Sequence, residues 1–173
     1  LLGSKYALLR SEFSEWRGFS LERRSKSKFK QLLINMGGVD VDNVTENVLD
    51  GLKLYNLPND MNITVVMGGS APHLDSVKSK ALTLPCKTEV KVDVGNMAEI
   101  MANADIAIGA AGSTTWERCC LGLPTIQFVI AKNQLFSAET LAHHNIVKLA
   151  KEIKETTYLL ESSSEWMKSV SSS

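Results

Sequence analysis

Short apolar runs alternate with longer amphipathic stretches along this chain. Leu32-Leu33-Ile34 is an apolar run followed by Gly37-Gly38, and residues 63–67 form another, stopped by Gly68-Gly69. Between them Val44, Val48, Leu49, Leu52 and Tyr55 recur at helical spacing over residues 43–55. A short apolar run bounded by glycines reads as a buried strand, whereas spacings of three and four read as one helix face. The same reading predicts strands over 90–94, 105–108 and 125–130, and helices over 77–82, 96–103, 114–121 and 135–142. Because most strand runs are continuously apolar, the sheet they form is covered on both faces. The prediction is an α/β, Rossmann-like three-layer domain with a mainly parallel sheet and its ligands at the C-terminal strand ends.

Composition narrows the partners. The 173 residues are 44% hydrophobic and 22% charged, an ordinary balance for one globular domain. Lys+Arg and Asp+Glu both total 19, so no net field draws the chain to nucleic acid or to an anionic membrane. Any anion must be gripped locally. No apolar run reaches membrane-spanning length, and Cys86, Cys119 and Cys120 form neither a CxxC pair nor a metal-like spacing with His73, His143 or His144. Reduced thiols, a cytoplasmic location and the absence of a metal or cofactor are therefore expected. Residues 1–30 read as a connector from a further domain, with the basic run Arg23, Arg24, Lys26, Lys28 and Lys30 solvated. Residues 31–150 form the domain itself, and 151–173 a C-terminal helix and serine-rich tail. The opening Leu1-Leu2-Gly3, without Met, suggests a piece of a longer protein.

Three glycine-containing stretches follow predicted strands: Asn35-Met36-Gly37-Gly38, Met67-Gly68-Gly69-Ser70 and Gly109-Ala110-Ala111-Gly112-Ser113-Thr114-Thr115. Small residues there let backbone N–H groups approach an anion, although any single glycine could merely turn the chain. None of the three is GxGxxG, and no GxxxxGK[ST] is present. In the third stretch Ser113 and Thr114 could hold a pyrophosphate. Glu117, an acceptor-only group one turn on, could take the two hydroxyls of a ribose. Thr114-x-x-Glu117 is equally a capping box. Asn133-Gln134 could read sugar hydroxyls or cap the next helix. His143-His144 suits a helix end, Cys119-Cys120 a buried helix, and Trp116 the core or a plug between domains.

These residues carry a resemblance. The blocks Asn96-Met97-Ala98-Glu99-Ile100-Met101, Ala104 through Arg118 and Gly122-Leu123-Pro124, with the opening Lys5 to Arg10 and the Met36-Gly37-Gly38 turn, resemble the C-terminal half of the UDP-sugar hydrolases of pseudaminic acid biosynthesis. More loosely they are similar to the murein N-acetylglucosaminyltransferases; both families have the GT-B fold, two Rossmann-like domains facing across a cleft. The resemblance implies a hydrolase that releases UDP from a diacetamido-trideoxy sugar. Ser113 and Thr114, beside Gly112, would hold the diphosphate and Glu117 the ribose. Gly37 and Gly38 would line the cleft, the segment from Val94 to Met97 would meet uracil, and Asn133 and Gln134 would face the sugar. No catalytic residue is implied within this chain, because the family's proposed histidine lies in the N-terminal domain. Asn35 departs from the Ser that related sequences often carry. The alternatives are the donor-binding half of a GT-B glycosyltransferase and a non-catalytic sugar-nucleotide-binding module.

Overall fold

The computed structural model describes residues 8–26, 29–54, 57–58, 60–156, 158–160 and 162. Tyr55, Lys28, the segment 1–7 and the serine-rich residues from 163 onward lie outside them. Six strands form one parallel sheet: β1 (Gln31–Asn35), β2 (Asn62–Met67), β3 (Lys87–Val92), β4 (Ile106–Ala110), β5 (Thr125–Phe128) and β6 (Lys148–Ala150). Their order is β3-β2-β1-β4-β5-β6, the doubly wound arrangement. Helices α1 (Ser11–Lys26), α2 (Val44–Leu54), α3 (Leu74–Ala81), α4 (Met97–Ala102), α5 (Thr114–Cys120) and α6 (Leu135–His143) accompany it.

Strand side chains alternate between two cores. Leu32 and Ile34 of β1 join Val48, Leu49 and Leu52 of α2 on one face, while Leu33 joins Met101 of α4 and Phe13 of α1 on the other. Both faces are apolar, which is why the strands read as continuous hydrophobic runs. Helix α5 ends where Gly122 takes a positive φ of 60° and the Leu123 N–H donates to the Arg118 carbonyl at 2.9 Å. Only glycine adopts that conformation without cost, so Gly122-Leu123-Pro124 is a helix stop before β5.

Within the basic run Arg24 departs from the solvated expectation and Arg23 does so in part, whereas Lys26 stays exposed. Residues 11–26 form a helix packed against the domain, with Phe13, Ser20 and Arg24 buried. Arg24 is 8% exposed; its Nε donates to the Ala104 carbonyl (3.1 Å) and its Nη1 to the Leu121 and Gly122 carbonyls (2.7 and 2.9 Å). One guanidinium thus serves the carbonyls left open where α4 and α5 end. Burial lowers its pKa to about 10, so it stays charged at neutral pH. Neighbouring Arg23 pairs with buried Asp105 at 2.8 Å, and the other Asp105 oxygen accepts the N–H groups of Lys30 and Gln31. No helix among the described residues is long and apolar enough to cross a membrane.

Candidate functional site

The sheet order reverses between β1 and β4, because the chain builds outward from β1 through β2 and β3 before returning to its other side. At such a switch the loops after the two strands part and leave a crevice at the C-terminal edge. Gly37 and Gly38 border it on one side and residues 111–113 on the other. Gly37 needs its freedom, with φ at 98°. The Gly38 carbonyl accepts the Gly68 N–H at 3.0 Å, and the Asp40 carboxylate accepts the N–H groups of Val44 (3.0 Å) and Thr45 (2.8 Å) at the start of α2. Both ends of the β1–α2 loop are therefore pinned. Between this loop and the end of β5 the surface is concave, with about 380 Å³ lined by Asp42, Val44, Asn47, Phe128, Ile130 and Lys151 among others.

Across the crevice, the loop after β4 keeps donors in hand. The Ala111 N–H is taken by the Phe128 carbonyl. Among the described residues no hydrogen bond takes up the N–H groups of Gly112, Ser113 and Thr114. Beneath them lies Arg118, 1% exposed, which donates to the Ala110 carbonyl (2.7 Å), Thr114 Oγ1 (3.0 Å) and Thr115 Oγ1 (3.3 Å). Gln127 Nε2 reaches Thr115 Oγ1 from β5 at 2.8 Å.

The capping box does not form. Ser113 is the N-cap of α5 and makes no side-chain cap bond, while the Thr114 hydroxyl is occupied by Arg118. The Glu117 carboxylate instead lies 3.7 Å from Arg10, which also pairs with Glu12 at 3.1 Å and stacks over Phe13. Burial raises the pKa of Glu117, opposed by Arg10 and Arg118. With no backbone amide on it, the carboxylate is available to a pair of hydroxyl donors.

The remaining candidates spread along the same edge. Gln134 sits in a short 3-10 turn (Lys132–Gln134); its Oε1 accepts the Ile130 N–H, and its Nε2 stands 3.7 Å from where a Cβ on Gly112 would be. It is thereby next to the β4 loop. Asn133 is exposed and caps nothing, since no side-chain cap bond starts either the turn or α6. Val94 and Met97 follow β3, two strands from β1, and are half-buried against the α1–α4 core. Their loop is tied in by Asp93, whose carboxylate accepts the Gly69 N–H at 2.8 Å and whose own N–H donates to the Met67 carbonyl. His143 and His144 end α6 as exposed rings packed edge to face. Cys86 is buried and Cys119 and Cys120 are half-buried, all three as free thiols. No group of metal-ligating side chains occurs among the described residues.

Sequence reading passed over Arg10, Arg118 and Gln127. The structure extends β4 to Ala110, past the predicted end at 108, and so puts Gly109 inside a strand, where glycine marks a close approach by another group. That group is the Arg118 guanidinium, with Nη1 2.7 Å from the position of an added Cβ.

Comparison with known proteins agrees with the fold. Residues 29–169 match the glycosyltransferase family 28 C-terminal domain. An uncharacterized protein of Methanocaldococcus jannaschii is 33% identical over 135 residues, covering 77% of this chain and 27% of its own length. The spore coat polysaccharide biosynthesis protein SpsG of Bacillus subtilis is 27% identical over 140 residues, covering 81% and 40%. The UDP-N-acetylglucosamine–N-acetylmuramyl-(pentapeptide) pyrophosphoryl-undecaprenol N-acetylglucosamine transferase of Helicobacter pylori is 28% identical over 134 residues, covering 75% and 35%. The chain thus spans less than half the length of these curated relatives. Among solved structures, MurG of Acinetobacter baumannii superposes with a TM-score of 0.70 at 20% identity, covering 90% of this chain and 47% of that one. The hydrolase expectation is overturned here, because the matched family and the transferase relative point to glycosyl transfer. This chain, a doubly wound sheet matched along residues 29–169, belongs to the glycosyltransferase family 28 C-terminal domain.

Proposed function

We propose that this chain is the donor-binding half of a two-domain glycosyltransferase and grips a UDP-sugar at the C-terminal edge of its sheet. The observation that carries this is the trio of open N–H groups on Gly112, Ser113 and Thr114 beside the uncapped Glu117 carboxylate, facing Gly37 and Gly38 across the switch-point crevice. The diphosphate lies on the three amides, with the Thr114 hydroxyl beside it. Glu117 accepts both ribose hydroxyls, the strongest pairing open to a neutral diol. Uracil lies along the backbone from Val94 to Met97, and the sugar faces Gln134 and Asn133. UDP departs with its charge neutralised on this half, while the facing half supplies the acceptor and any base. The names of the transferase and polysaccharide-biosynthesis relatives support a carbohydrate polymer or glycolipid as the product class.

Calorimetric titration tests the reading. UDP is expected to bind more tightly than ADP, and Glu117→Ala to weaken UDP by about 1–3 kcal/mol, roughly 5- to 150-fold in Kd. Equal affinity for UDP and ADP, or an unchanged Kd in the Glu117 variant, overturns it.

A further inference from the structure

The charge of Arg118 meets none of the proposed ligand groups, and its setting is unusual. It is the largest of the fully buried side chains. Among the described residues no carboxylate stands within ion-pair distance of it. Its three hydrogen bonds go to neutral oxygens, and its Nε reaches no acceptor. The neighbouring carboxylate, Glu117, turns to Arg10 instead. Burial outweighs the pull of Cys119 and Glu117 and brings the pKa down to about 10, which leaves the guanidinium cationic at neutral pH. An unneutralised buried cation is costly and calls for a compensating anion.

The sheet is shaped to accept it. Asn35, Gly109 and Gln127 stand in register on β1, β4 and β5. A Cβ on Gly109 would lie 2.7 Å from Arg118 Nη1 and 3.0 Å from its Cζ, so the missing side chain is the socket for the guanidinium. Asn35 Oδ1 and Gln127 Oε1 on either side are buried without donors. The arrangement holds a positive charge under the β4 loop where an apolar residue would pack more simply.

We propose that Arg118 is the buried counter-charge for the diphosphate, a positioning residue that makes the Gly112–Thr114 loop select an anion over a neutral nucleoside. This rests on the reading that the loop takes the diphosphate of a UDP-sugar. The action runs through Thr114. A hydroxyl that accepts from a guanidinium keeps its own proton for another acceptor, so Thr114 becomes a donor. The cation itself never touches the ligand but lies one hydrogen bond behind it, shielded from water, where its field is poorly screened.

The test is an NMR-detected titration of the chain with UDP and with uridine, which follows weak as well as tight binding. Arg118→Met is expected to weaken UDP by about 10- to 100-fold while leaving uridine within about threefold, the loss expected for one poorly screened charge. Arg118→Lys should recover part of the UDP affinity. An unchanged ratio of UDP to uridine affinity in Arg118→Met, or an equal loss for both ligands, overturns the proposal. Should Arg118→Met melt below the assay temperature, Arg118→Gln, which keeps a neutral N–H donor, is measured in the same way against the same two outcomes. Wild-type chain that binds ADP as well as UDP overturns the UDP-sugar reading but not the Arg118 proposal, whose effect is then read from ADP against adenosine. Wild-type chain that binds uridine as tightly as UDP sinks the Arg118 proposal.

Discussion

Arg24→Ala is expected to lower the unfolding free energy by about 3–5 kcal/mol, the range for removing one partner of a buried charged network. For a domain of this size that corresponds to a fall in Tm of roughly 6–20 °C. The cost comes from the acceptors left behind. Nη2 also donates to Ser20 Oγ at 2.6 Å, and Ser20 in turn donates to the Leu121 carbonyl at 2.8 Å. Without the guanidinium the Ala104, Leu121 and Gly122 carbonyls stay buried at two helix ends with fewer donors. Each unsatisfied group costs about 1–3 kcal/mol, partly relieved by relaxation. Lys26→Ala is the control from the same basic run. Its ammonium is exposed and, among the described residues, pairs only with Glu22 one turn away, so the change should stay within about 0.5 kcal/mol. Urea or thermal unfolding of the two variants decides the matter, and equal stabilities would mean that α1 does not hold α4 and α5 through Arg24.

That helix shows where pattern reading stops. Two of the three buried residues of α1, Ser20 and Arg24, are polar, so hydrophobic periodicity carries no trace of its packed face. By contrast, Leu32, Leu33 and Ile34 fill both cores at once, and their uninterrupted apolar character made β1 legible. Strand β6 is three residues long with two of them half-buried, too little for a run to register. At the candidate site, the small and hydroxyl residues after β4 suggest an anion loop, but Thr114-x-x-Glu117 reads equally well as a cap. The position of Arg118, folded back under Thr114, and of Glu117 beside Arg10 removes the cap reading. A charged residue beside Glu117 looks like solvated surface until Gly109 is seen to vacate the space it fills. The reaction class was misjudged for a different reason. Residues that hold a nucleotide meet the same departing UDP whether water or a hydroxyl accepts the sugar, so they do not record the acceptor.

Gly68→Ala is expected to disturb the crevice more than any other single methyl group at this edge. A Cβ there would lie 2.3 Å from the Gly38 carbonyl oxygen, 3.1 Å from its carbon and 3.3 Å from its Cα. All three atoms are backbone, so no rotamer change relieves the clash. The β1–α2 loop must move away, which breaks the 3.0 Å bond from the Gly68 N–H to that same carbonyl. Overpacking and the lost bond together are expected to cost about 2–4 kcal/mol. Next in line, the Gly69 N–H is held by Asp93, so the displacement strains the loop that leads to Val94 and Met97 as well. UDP affinity should therefore fall along with stability, although Gly68 itself touches no assigned part of the ligand. Gly95→Ala in the neighbouring loop is the matched control, because an added Cβ there meets nothing within 4 Å. Urea unfolding, with backbone amide shifts of Gly37, Gly38 and Asp40, separates the cases. If Gly68→Ala proves as stable as Gly95→Ala and leaves those shifts in place, the loops are not locked together and the crevice is not a single preformed edge.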